Sequence, residues 1–351
     1  MSIIEVNNLS KTFTYYEKKA GLRHSWRHLF HREELERHAV SQISFNIEQG
    51  EAVAFIGPNG AGKTTTLKML TGILHPTSGH ASVLGYTPWE RAKAFKRNFA
   101  IVMGQKSQLW WDLPANESIY LNKCIYDIED RIYQDTLDEL AEMLDVTRLL
   151  GVQVRRLSLG ERMKMEIIAA LIHQPKLLFL DEPTLGLDYA SQKKVRQFLR
   201  SYNEQKQATI ILTSHYMKDI QDVCSRAIVI AGGKIAFDGR IDAMKKAFGD
   251  YKRVKVRFYE PWKEEEVYQW LGAHAVVHAH HGDTLDLQVE HEAIKTVSRL
   301  LIEHSGVEDW SIEEEPIEES IERIYVQQSK ERGLNVGQEQ SRAAELQSLE
   351  A

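Results

Sequence analysis

A chain of 351 residues, 43% apolar and 27% charged, has length for a large core and a second, smaller domain, which excludes chain-wide disorder and collagen-like or fibrous classes. Its 44 Lys and Arg against 50 Asp and Glu leave a formal net charge of -6, which gives no support to a chain-wide attraction to nucleic acid or anionic lipid. Two cysteines, Cys124 and Cys224, and no charged-then-apolar leader predict a reduced, cytosolic chain without a disulfide framework. The longest apolar runs, Leu177 to Leu180 and Ala227 to Ala231, fall far short of the ~20 residues a membrane-spanning helix needs, so any service to a membrane runs through a partner.

In chain order, short apolar runs at Ile43 to Ile47, Val53 to Ile56, Leu177 to Leu180 and Ile210 to Leu212 alternate with helical patterns. They predict an α/β domain with a mostly parallel sheet over residues 1–248. Ahead of Ile43 lies an insert, residues 17–38. In it Leu22, Trp26, Leu29 and Phe30 recur at helical spacing among Arg23, His24, Arg27, His28, His31 and Arg32. It reads as a basic amphipathic helix, either docking on a membrane partner or lipid headgroups or folded as a flap on its own domain. The histidines at 24, 28 and 31, and those at 278, 280 and 281, have metal-like spacing but no accompanying Cys or carboxylate cluster, and a solvated polar face is the simpler reading. From residue 249 to 328 the texture changes. Val254/Val256/Phe258 alternation, a charged segment from Lys263 to Trp270, Leu285/Leu287/Val289 alternation and a stripe at Ala293, Ile294, Val297, Leu300 and Leu301 predict a small ferredoxin-like α+β domain. The tail, 329–351, is Gln, Glu, Ser and Arg with few apolar residues, and is predicted to be disordered.

The apolar run Val53 to Ile56 leads straight into Gly57-Pro58-Asn59-Gly60-Ala61-Gly62-Lys63-Thr64, the strand, glycine-rich loop and helix-start pattern of a nucleoside-triphosphate site. The glycines let backbone N–H groups converge on phosphate oxygens. Lys63 supplies a point charge for the terminal phosphates, and the Thr64 hydroxyl is placed for Mg²⁺, with Thr65 beside it in the first helical turn. The run Leu177 to Leu180 delivers Asp181 and Glu182 to the carboxyl end of a buried strand. Alternation along an extended strand would send Asp181 toward Mg²⁺ and Glu182 toward an attacking water as general base.

Between these lie Leu157-Ser158-Leu159-Gly160-Glu161 and a helical stretch from Arg162 to His173; Gly186-Leu187-Asp188 and Thr213-Ser214-His215 follow. In this order and spacing the motifs closely resemble an ATP-binding-cassette ATPase. The resemblance implies a P-loop NTPase cassette with a RecA-like core, an antiparallel β subdomain and a helical signature subdomain, followed here by the small α+β domain. It implies ATP and Mg²⁺ as cofactors and ATP hydrolysis as the activity.

The resemblance further implies that Phe13 stacks on adenine, with Tyr15 or Tyr16 as substitutes and a core aromatic on an edge strand as the alternative. Gln105 would reach Mg²⁺ and the attacking water from a loop that touches the membrane partner, and His215 would contact the γ-phosphate and hold Glu182 and water in register. Ser158 and the backbone at Gly160 would face the nucleotide of a second copy, with Asp188 at the seam of a head-to-tail dimer, a homodimer in the simplest case. Leu159 and Glu161 depart from the usual glycine and glutamine, and an acid near a triphosphate is electrostatically awkward unless it points elsewhere. Trp110 and Trp111 either enter the groove that receives the partner or pack on the helical subdomain from Asp127 to Leu150. The closing segment Glu315 to Tyr325 is similar to the accessory segment of cassettes that drive drug-resistance and polysaccharide exporters. The expected protein is therefore the ATPase of an exporter at the cytoplasmic face of the plasma membrane, paired with separately encoded polytopic permease subunits. The rivals are a soluble cassette acting on ribosomes, nucleic acid or other cytosolic complexes, against which stand the single cassette copy and the acidic balance, and a regulatory module that barely hydrolyses ATP.

Overall fold

The computed structural model describes residues 2–16, 34–104, 106–214, 216–247, 251–260, 271, 274–315, 319, 321, 323 and 324. The chain divides into two compact units, Met1–Ile241 and Asp242–Ala351. In the first unit the elements run β1 (Ser2–Tyr16), β2 (Glu34–Glu48), β3 (Ala52–Ile56), α1 (Lys63–Leu70), β4 (Ser78–Val83), α2 (Lys93–Lys96), β5 (Phe99–Met103), α3 (Ala115–Tyr126), α4 (Asp130–Met143), α5 (Leu159–Leu171), β6 (Leu177–Asp181), α6 (Tyr189–Lys206), β7 (Thr209–Thr213), α7 (Met217–Val223), β8 (Arg226–Ala231) and β9 (Lys234–Arg240).

The main sheet has the order β5-β6-β7-β3-β8-β9. Its neighbours pair in parallel except β9, which closes the edge antiparallel to β8. Strands covered on both faces cannot alternate, which is why Ala52–Ile56 and Thr209–Thr213 are buried at every position. A second sheet, β2-β1-β4, is antiparallel and lays Ile4, Val6, Leu9, Ile43, Phe45 and Ile47 into the same core as Val53, Phe55, Phe179, Ile211 and Ile228. Phe45 meets Phe55 edge-on at 5.5 Å and 89°, a contact that holds the two sheets together. Each such fully buried side chain contributes roughly 1.5–3 kcal/mol. The layout is the α/β cassette predicted, with a separate antiparallel β layer.

The insert reads differently at its carboxyl end. Residues 34–38 are not part of a helix but the start of β2, where Tyr15, Thr14, Phe13 and Thr12 pair with Leu35, Glu36, Arg37 and His38. The ladder is drawn out by backbone pairing with β1, and an arm of polar residues carries no apolar alternation to announce it. The helix predicted around Leu22 to Arg32, with His24, His28 and His31, lies outside the described residues, as does the tail 329–351.

Past Arg240, helix α8 (Ile241–Ala247) leads into β10 (Tyr251–Phe258), β11 (Ala275–His281), β12 (Thr284–Glu290), α9 (Ile294–Glu303) and β13 (Val307–Glu314). The four strands form one antiparallel sheet in the order β11-β12-β10-β13. Val254, Val256, Phe258, Leu285, Leu287 and Val289 line one face against Val297 and Leu301 of α9. On the other face Arg253 is buried and pairs with Asp286 at 2.7 Å and with Glu319, while Arg323 pairs with Glu315. These pairs pin the closing helical residues to the sheet. The segment 263–270 lies outside the described residues. Among the described residues no helix is long and apolar enough to cross a membrane, and no group of His, Cys, Asp or Glu is arranged for a metal, His278, His280 and His281 included.

Candidate nucleotide site

The loop between β3 and α1 is shaped by its glycines. A Cβ on Gly57 would stand 2.3 Å from the carbonyl oxygen of Ile230, and one on Gly62, whose φ is 112°, would stand 2.5 Å from that of Ala39. No side chain fits there, so the loop lies close against β8 and β2. Lys63 opens α1, with Thr64 and Thr65 behind it in the first turn. The Lys63 side chain is buried and Nζ donates to the carbonyls of Gly57 at 2.6 Å and Pro58 at 3.2 Å. Burial lowers its pKa, opposed by the carboxylates of Glu182 and Asp181.

Strand β7 lies between β3 and β6, so its last residue stands between the phosphate loop and the two acids. Thr213 Oγ1 donates to Asp181 Oδ1 at 2.6 Å, and Thr64 Oγ1 donates to Asp181 Oδ2 at 3.2 Å. The Glu182 N–H donates to the Thr213 carbonyl at 3.0 Å and lies 3.1 Å from Oγ1. One expectation is corrected here. Strand β6 ends at Asp181 and Glu182 has φ 54°, so the backbone turns into the left-handed region there and the alternation of an extended strand does not run on to Glu182. The turn brings the Glu182 carbonyl so close to Gly104 that a Cβ there would lie 2.2 Å from it, while the Gly104 N–H donates to the Asp181 carbonyl at 2.8 Å. Gln105 and His215 lie outside the described residues, but Gly104 and Ser214 before them are fixed at this same sheet end.

The signature segment begins α5. Ser158 is its N-cap: Oγ accepts from the Glu161 N–H at 3.3 Å and the Glu161 carboxylate accepts from the Ser158 N–H at 2.8 Å. This capping box answers the electrostatic objection to an acid in this motif, since Glu161 turns back onto its own helix start and onto the positive end of the helix. Among the described residues the Ser158 hydroxyl proton has no acceptor. Gly160 is required by packing, because a Cβ would meet Ser191 Oγ at 2.2 Å. Asp188 caps α6 in the same style, accepting from the Ser191 N–H at 2.9 Å and Oγ at 2.7 Å, and these bonds, the backbone one first, hold its carboxyl below the usual range. The two caps thus adjoin each other.

Gln at position 161 can complete the same capping box, so Glu161→Gln is expected to keep ATP turnover within about twofold, whereas Glu161→Ala should cost about 1 kcal/mol of stability. Thermal melting alongside a phosphate-release assay checks both. A large loss of turnover in Glu161→Gln would show that the acid has a task beyond the cap.

Phe13 is 38% exposed, which rules out a core aromatic. Trp110 and Trp111 are 59% and 52% exposed, and the guanidinium of Arg162 stands 5.1 Å from the Trp111 ring, so neither is packed away under the helical elements. Two groups were not read from the sequence. Glu166 of α5 is buried and accepts from Ser107 Oγ and from the Gln108 N–H at 3.1 Å, which binds the segment after Gln105 to the signature helix. An acid inside the apolar run Met165 to Leu171 was the available signal. Asp219 of α7 accepts from Arg196 Nη1 at 2.9 Å, Ser214 Oγ at 2.7 Å and Thr184 Oγ1. Sequence offered no sign of this, because its partners are far apart in the chain.

Fold and loop together define a nucleoside triphosphatase of the P-loop kind. Residues 40–185 match the family described as ABC transporter. The ABC transporter ATP-binding protein NatA of Bacillus subtilis (strain 168) is 31% identical over 206 residues, 59% of this chain and 83% of NatA. The linearmycin resistance ATP-binding protein LnrL of the same organism is 32% identical over 212 residues, 60% of this chain and 68% of LnrL. A solved structure of an ATP-binding subunit of an ABC transporter superposes with TM-score 0.57 at 27% identity, covering 70% of this chain and 93% of that one. The chain belongs to the ABC transporter ATP-binding proteins. It is an ATP-binding and ATP-hydrolysing subunit.

Proposed function

We propose that this subunit powers an exporter, and that it does so as a head-to-tail dimer beneath separately encoded polytopic permease subunits on the cytoplasmic face of the membrane. The carrying observation is the meeting of Thr64 and Thr213 on the Asp181 carboxylate, with the Glu182 N–H held by Thr213 and Lys63 buried on the adjoining glycine loop, at one end of the main sheet. In this reading the Gly57 to Thr65 backbone and Lys63 hold the phosphates of ATP, and Phe13 stacks on its base. Glu182 takes the proton of the attacking water, while Gln105 and His215 orient that water and the γ-phosphate. Thr64 Oγ1 and the Asp181 carboxylate are hard oxygen donors converging on one point, a set that fits Mg²⁺, which keeps several waters and takes few protein ligands. Bound with ATP, the ion would neutralise charge on the phosphate oxygens.

Ser158, Gly160 and Asp188 would meet the nucleotide of the second cassette, with the Ser158 hydroxyl and the first N–H groups of α5 as donors. The resistance named for LnrL and the likeness of the Glu315 to Tyr325 segment to exporter cassettes support export as the direction. The strand order β11-β12-β10-β13 supports a ferredoxin-like accessory domain over 249–328. The test is co-purification: tagged Glu182→Gln protein, solubilised from whole cells in mild detergent with ATP, is expected to bring down a polytopic membrane protein in near-stoichiometric amount. Ribosomes or nucleic acid in its place would overturn the reading in favour of a cytosolic cassette.

A further inference from the structure

We propose that Arg37 is a nucleotide-binding residue that grips the phosphate chain from the solvent side of the loop; the inference rests on the ATP-binding reading of this site. Directly paired residues of antiparallel strands project from the same face, and β1 and β2 pair Phe13 with Arg37. The aromatic ring and the guanidinium therefore stand side by side on one arm. Glu36 and His38 point to the opposite face, where they approach each other at 3.9 Å. The ring is steadied by Lys11, whose Nζ lies 5.3 Å from its centroid and donates to the His75 carbonyl at 2.8 Å.

From that arm Arg37 reaches the crest of the phosphate loop: a Cβ built on Gly60 would stand 2.9 Å from Arg37 Nη2. Gly60 has φ 78° and bears no side chain, so the guanidinium lies within contact distance of the loop backbone whose N–H groups meet phosphate. Lys63 approaches the same loop from beneath, buried, with its ammonium on the Gly57 and Pro58 carbonyls. The two cations thus reach the same loop, Lys63 at Gly57 and Pro58 and Arg37 at Gly60. They differ in kind as well, since Lys63 offers a compact point charge and Arg37 a planar fork that takes two phosphate oxygens at once. A nucleotide stacked on Phe13 with its phosphates in the loop would have to pass Arg37 on the way.

The test is calorimetric titration of the full chain with ATP and ADP at low and high salt, for the parent, Arg37→Ala, Arg37→Gln and Arg37→Lys. The expected result is an ATP affinity at least ~10-fold weaker in the Ala and Gln variants, partial recovery in the Lys variant, and a shallower salt dependence once the cation is gone, all at unchanged melting temperature. Three-dimensional integrity is covered by the Gln variant, which keeps most of the side chain's length. If the parent binds ATP and both neutral variants bind it within twofold with the parent's salt dependence, the assignment of Arg37 is overturned while the ATP site stands. If the parent itself binds neither nucleotide, the nucleotide reading falls and Arg37 with it.

Discussion

Glu182→Gln is expected to lower kcat for ATP hydrolysis by roughly 10²–10⁴-fold while leaving ATP binding near the parent level. The carboxylate is carried on a single left-handed residue whose N–H is held by Thr213 and whose carbonyl presses on Gly104, so the backbone that aims it is fixed before substrate arrives. An amide of the same shape keeps that geometry and loses only the ability to take a proton. Asp181→Asn should behave differently, because Asp181 gathers Thr64 and Thr213 rather than facing water in this reading. Its loss should appear in nucleotide affinity as well as in rate. Steady-state phosphate release with a separate binding titration distinguishes the two. A Glu182→Gln variant that turns over within threefold of the parent would remove Glu182 from the role of general base.

Arg196→Met is expected to lower the melting temperature of the cassette unit by roughly 6–20 °C, the equivalent of about 3–5 kcal/mol for a buried ion pair left with one partner. Arg196 and Asp219 are almost fully buried and lie 2.9 Å apart, and the same carboxylate receives the hydroxyls of Thr184 and Ser214. Removing the guanidinium strands a charge that, among the described residues, two hydroxyls still serve. Thr184 follows Glu182 by two residues and Ser214 precedes His215, so one carboxylate ties together the two loops to which catalysis is assigned. Turnover should therefore fall in Arg196→Met even at temperatures where it is folded. The double variant Arg196→Met/Asp219→Leu should recover part of the lost stability, since it removes the buried Asp219 charge, while Asp222, which Arg196 also meets at 3.0 Å, is part-exposed and keeps Lys218. An Arg196→Met melting temperature within 2 °C of the parent would show that the pair is not a keystone of this fold.

Neither of those effects was equally legible in the chain itself. Glu182 announces itself, because an apolar run ending in two adjacent acids and a proline is a local pattern with a single plausible use. Asp219 looks like any acid on an amphipathic helix, and only the packing of α6 against α7 turns it into the meeting point of four side chains. Glu161 shows the same divide from the other side. Its spacing from Ser158 is that of a capping box, but proximity to a nucleotide in the resemblance drew attention to charge repulsion instead.

What the sequence by itself determined is what local backbone chemistry specifies. Gly57 to Thr64 can serve as a phosphate loop only with glycines where no Cβ fits, and the fully apolar strands demand cover on both faces. The boundaries of β3, β6 and β7 lie within a residue of the apolar runs for that reason. The tertiary structure decided what depends on partners distant in the chain: the sheet order that sets Thr213 between phosphate loop and acids, the left-handed turn at Glu182, and the extension of β2 back to Glu34. It also decided the burial of Glu166 and Asp219 and the reach of Arg37 to Gly60. Each of these is set by which surfaces meet when the core closes, and pairing energies of that kind leave no periodicity along the chain from which to read them.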